Sequence, residues 1–114
     1  MTHPLYPEST AELARKRREL APEPLQAFKT FSAAVFAEGA LAAQTKQLIA
    51  VAVAHVTQCP YCIKGHTAEA LKQGASEQQV MEAIWVAAEM RAGGAYAHAA
   101  LALDVMHHHA HPEG

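Results

Sequence analysis

Large rings are scarce in this chain: one tryptophan, three tyrosines and three phenylalanines, 6% of 114 residues. Any core must be filled mainly by aliphatic side chains, and 26 alanines supply much of the 51% hydrophobic content. Long apolar runs are missing too. The longest spans Leu48 to Ala54, far below the roughly 20 residues that cross a bilayer. The opening stretch, Met1 to Pro7, has no apolar run of signal-peptide length, so the cytoplasm is the expected location. No charge of one sign dominates. A net charge of -2 and a pI near 6.4 argue against a general nucleic-acid binder. The one basic run, Arg15-Lys16-Arg17-Arg18, reads as the solvated face of a helix. A chain of this length is expected to form one domain, residues 1–114, with loosely ordered ends at 1–8 and 108–114.

What is present is helical. Ser9 with Glu12 three residues on forms a capping box that opens a first helix running to about Leu20. Pro22 and Pro24 break it and seed a second, with Leu25, Phe28, Phe31 and Val35 at helical spacing until Gly39. A third begins near Leu41 or Ala42 and is apolar on all sides from Leu48 to Ala54, the pattern of a helix buried in mid-domain. Pro60 lacks the backbone donor of a continuing helix but suits a first turn, so a break is predicted at Gln58 to Cys59. The fourth helix then runs from Pro60 to Gln73, stopped by Gly74. Ser76 with Gln79 caps a fifth, which Gly93-Gly94 is expected to interrupt before a last helix from Ala95 to about His107. The predicted fold class is all-α.

The chain has two cysteines, and they stand together in Cys59-Pro60-Tyr61-Cys62. Cys59 falls at the N-cap of the fourth helix, where free N–H groups and the helix dipole favour a thiolate. Cys62 lies inside the first turn, with His66 one turn further on the same face. The dipole thus favours Cys59 as nucleophile and the imidazole favours Cys62, and helix geometry alone leaves that choice open. In a reducing compartment such a vicinal pair points to catalysis or metal binding rather than to a structural staple.

Two other chemistries use similar residues. His55, Cys59, Cys62 and His66 have spacings of four, three and four, but along a straight helix they span about 16 Å. They could surround a zinc ion only if the chain folded back at Pro60. Cys-Pro-Tyr-Cys is also the glutaredoxin tetrapeptide. That fold needs later strands and a cis-proline loop, whereas the only proline after Pro60 is Pro112 and no period-two pattern follows Gly74.

Thr45-Lys46-Gln47-Leu48-Ile49-Ala50, the Cys59 to Cys62 tetrapeptide, His66, Ala70, Gly74-Ala75-Ser76, the run Val80 to Ala87 and Arg91-Ala92-Gly93-Gly94 resemble the carboxymuconolactone decarboxylase family. More specifically they resemble its AhpD-like (alkylhydroperoxidase D) branch, over about residues 25–105. The resemblance implies a peroxidase without cofactor or resident metal. In that chemistry Cys62 attacks a hydroperoxide, Cys59 resolves the sulfenic acid as a disulfide, His66 relays protons, and a lipoyl- or thioredoxin-like dithiol restores the thiols. It also implies a homo-oligomer, a trimer or hexamer, and the dispersed large residues Phe28, Phe31, Phe36, Met81, Trp85 and Met106 point the same way. The competing class is a non-enzymatic helical module that binds a metal or a partner. Lactone decarboxylation is disfavoured, because the decarboxylases proper generally lack the cysteine pair.

Two positions depart from that branch. Gln47 stands where a glutamate is usual, and Tyr61 where some peroxidases carry histidine. An amide can neither accept the proton nor hold the charge. Glu69, three residues beyond His66, is a substitute in principle, though solvent is the simpler destination for its carboxylate. His55 and His98 read as helix-surface residues, and the tail His107-His108-His109 with His111 as a place for adventitious metal on a fraying end.

Overall fold

In the computed structural model, residues 5–113 are described, and all their regular structure is helical. Five helices follow in order: α1 (Ala11–Leu20), α2 (Pro22–Phe36), α3 (Ala43–Thr57), α4 (Pro60–Lys72) and α5 (Glu77–Ala110). The all-α expectation holds. Several boundaries follow from local chemistry visible in the residues. Ser76 and Gln79 make both bonds of the capping box that opens α5. Gly74 takes φ of +94° after α4, a conformation costly for any residue with a β-carbon.

Other expectations are corrected. The cap of α1 is Thr10 rather than Ser9: its Oγ1 accepts from Leu13 N at 3.2 Å, which makes Leu13, not Glu12, the third helical residue. Helix α2 stops at Phe36, three residues before Gly39. The Lys46 ammonium reaches back from α3 and donates to the carbonyls of Val35 and Ala37 at 2.9 and 2.7 Å, satisfying acceptors that a helix end leaves free. The largest correction is at Gly93-Gly94, where no break occurs. Helix α5 continues for 34 residues to Ala110. Residues 108–110, expected to be loose, are helical; of the stretch 1–8 expected to be loose, residues 1–4 lie outside the described residues.

The packed heart of the chain is small. Helix α3 lies against both α4 and α5, and Val51, Ala70, Ala75 and Val80 form the buried cluster, with Leu48 and Ile84 against it. Val51 is its one large, fully buried side chain. The rest of α3 is not enclosed as its all-round apolar pattern predicted: Ile49, Val53 and Val56 are exposed on the single chain. Helix α1 packs only on α2, and the second half of α5 projects free, with Leu101, Leu103, Val105 and Met106 exposed. The radius of gyration, 20.3 Å, far exceeds the ~13 Å of a compact 100-residue domain. One chain alone is therefore an open arrangement with a wide uncovered apolar surface.

The unbroken course of α5 has a measurable consequence. A β-carbon at Gly94 would meet nothing within 4 Å, so Gly94→Ala should stabilise the protein by about 1 kcal/mol, the helix-interior difference between the two residues. A higher denaturation midpoint is the expected result. A lower one would mean that position 94 needs a conformation closed to alanine.

Candidate active site

The turn between α3 and α4 places the sulfur atoms. Helix α3 ends by swinging left-handed at Gln58 (φ 58°), and the Cys59 N–H returns to the Ala54 carbonyl at 3.2 Å. Pro60 then starts α4 in the first-turn position where its missing N–H costs nothing. Cys59 becomes the N-cap: its Sγ accepts from Cys62 N at 3.3 Å, the place normally taken by a serine or aspartate oxygen. Cys59 and Cys62 are joined as a disulfide, with Cα atoms 5.3 Å apart. Both are half-buried.

His66 sits one turn along α4 from Cys62 and is held from two sides. Its Nδ1 lies 2.8 Å from Gln47 Oε1 on α3. The amide oxygen can only accept, so Nδ1 carries the proton and donates it, and in the neutral ring Nε2 holds the lone pair. The Phe36 ring, at the end of α2, stacks on the imidazole with centroids 5.1 Å apart and 27° between planes. Gln47 is the only buried polar residue among those described, 4% exposed, and every buried side-chain polar atom there has a partner. The orientation of His66 thus rests on an amide from one helix and a ring from another.

Two cavities meet at this point. One, of about 450 Å³, is almost wholly apolar and is lined by Val35, Phe36, Ile49 and Val53, with Cys62 and His66 on its wall. The other, about 620 Å³, is more polar and holds Gln47, Tyr61, Glu69 and Gln73 beside the same two residues. Cys62 lines both; Cys59 lines neither. The disulfide can therefore be approached on the Cys62 side from either cavity, beside an imidazole with a free nitrogen.

Of the residues singled out from sequence, Cys59, Cys62 and His66 come together. Glu69 does not reach His66: its carboxylate accepts from Gln73 Nε2 at 3.2 Å while lining the polar cavity. His55 turns back to its own helix, with Nδ1 2.7 Å from the Val51 carbonyl. Tyr61 lines the polar cavity but commits its hydroxyl elsewhere, donating to the Pro7 carbonyl at 2.6 Å while Tyr6 packs edge-on against its ring. Two participants escaped the sequence reading. Phe36 gave no signal, because its stacking depends on how α2 docks. Gln47 was visible as a departure, but not as the partner of His66.

Residues 22–105 match the carboxymuconolactone decarboxylase family, and the chain belongs to it. It is 68% identical over 80 residues to uncharacterized protein 4 in the cox locus of Paracoccus denitrificans, covering 70% of this chain and 72% of that one. A solved structure from Methanobacterium thermoautotrophicum superposes with a TM-score of 0.69 at 41% identity, covering 73% of this chain and 93% of that one. A family member from Thermotoga maritima, suggested to take part in an antioxidative response, superposes at 0.54 with 30% identity, over 56% of this chain and 66% of its own.

Removing the amide should expose its structural share. Gln47→Met keeps much of the side-chain volume but leaves the half-buried Nδ1–H of His66 without an acceptor. A loss of about 1–3 kcal/mol in equilibrium denaturation is expected, the penalty of an unmade bond at a sequestered donor.

Proposed function

We propose that this chain is a thiol-dependent peroxidase, or dithiol–disulfide oxidoreductase, of the AhpD-like branch of its family. In the reduced protein the Cys62 thiolate attacks the outer oxygen of a hydroperoxide. The O–O bond breaks, the alcohol leaves with a proton relayed through His66, and Cys62 becomes a sulfenic acid. Cys59 then attacks the Cys62 sulfur, water departs, and the disulfide closes, which guards the site against over-oxidation. An external dithiol supplies the two electrons that reopen it. The observation that carries this reading is the position of Cys62 on the wall of both cavities, next to His66, while Cys59 faces neither. The apolar cavity favours an organic hydroperoxide as substrate and a lipoyl-like arm as reductant. With Gln47 in place of a carboxylate, the imidazole must take the proton without a charged partner behind it.

The roles of the two sulfurs separate in single variants. Cys59→Ser treated with an organic hydroperoxide should accumulate a sulfenic acid that dimedone traps at Cys62, and Cys62→Ser should give none. Trapping at Cys59 alone would reverse the assignment.

We further propose that the working form is a homo-oligomer, a trimer or hexamer. Support comes from the exposed apolar residues on α2, α3 and α5 and from the extended single chain, since monomeric proteins rarely leave such patches uncovered. Light scattering on untagged protein at micromolar concentration should give a multiple of 12.2 kDa, and a mass near that value would refute the assembly.

A further inference from the structure

Asp104, His107, His108 and His111 lie at the end of α5, far along the sequence from the sulfur chemistry. A frayed tail would give them no fixed relation, but the helix runs on to Ala110 and the His111 N–H still donates to the His107 carbonyl at 2.9 Å. At about 100° per residue, separations of three, four and seven put these four on one face, with His109 roughly opposite.

The rings are arranged accordingly. His107 and His111 stand side by side with centroids 4.7 Å apart and 36° between planes. His108 places Nδ1 2.9 Å from the Asp104 carbonyl and 3.4 Å from its carboxylate. His108 is thus engaged with Asp104 and flanks the His107–His111 pair without converging on it. The face also lies at the carbonyl end of the helix, where the dipole favours positive charge.

We propose that His107 and His111 form a two-ligand clamp for a divalent transition-metal ion of the zinc, nickel or copper type, flanked by His108 and Asp104. Imidazole nitrogen selects these ions over magnesium or calcium. Among the described residues no three such groups converge on one point, so each chain contributes two ligands and water completes the coordination. The clamp bridges one helical turn and so ties metal binding to the order of the last turn of α5. It is independent of the redox reading.

The test is calorimetric titration of the untagged, full-length protein with zinc chloride. The Cys59–Cys62 pair is kept oxidised so that no thiol captures the ion. One ion per chain is expected. His107→Ala and His111→Ala should each weaken binding at least ~10-fold, no less than the loss of an outer partner costs a metal site, and His109→Ala should leave affinity unchanged. Equal weakening in all three variants would reveal a run of histidines without register and overturn the clamp. So would binding that none of them alters, or no binding at all. Thermal melts of each variant separate lost ligands from lost fold.

Discussion

The hydrogen bond from His66 Nδ1 to Gln47 Oε1 crosses from α4 to α3, and the arrangement around the cysteine pair depends on it. Among the described residues it is one of two side-chain hydrogen bonds between α3 and the α4 segment, the other running from Gln44 Nε2 to the Gln73 carbonyl at 3.0 Å, beside the apolar contacts of Val51 and Ala70. It fixes the tautomer of the imidazole, and Phe36 then fixes the ring plane by stacking on it. Lys46, one residue before Gln47, ties the end of α2 on either side of Phe36 to α3. Two consecutive residues on α3 thus reach in different directions and tie α2 and α4 together beside the sulfur pair.

The choice of an amide at position 47 changes what that link can do. A carboxylate would strengthen the bond if the imidazole gained charge, as it does when His66 takes a proton in the proposed reaction. An amide binds the neutral ring well and adds no counter-charge. Orientation is retained, while electrostatic help for the proton transfer proposed for His66 is reduced. The site is therefore set up firmly as geometry and lightly as electrostatics.

Much of this was legible from the residues. Pro60 and the spacing of Cys59, Cys62 and His66 located the start of α4 and its thiol cap, because proline and N-cap chemistry act locally. Ser76 and Gln79 were readable for the same reason. Gly93-Gly94 misled because a glycine pair is ambiguous: it suits a turn, yet among helix-forming alanines it weakens a helix by only about 1 kcal/mol per residue. The stack of Phe36 on His66 and the Gln47 bond join positions 30 and 19 apart in sequence, and no local pattern encodes such a pairing. The enclosed α3 anticipated from its apolar run failed for a related reason, since one chain does not supply all the surfaces that a run of that kind can meet.

The cap at Cys59 ties the oxidation state of the pair to the helix that carries it. In the disulfide, the sulfur that receives the Cys62 N–H is neutral. After reduction the same atom can ionise and meet the positive end of α4 as an anion, a stronger cap in the same place. Any interaction that favours the reduced form raises the reduction potential of the couple. The helix therefore biases the disulfide toward accepting electrons, which in the proposed cycle would ease its reduction by a dithiol donor.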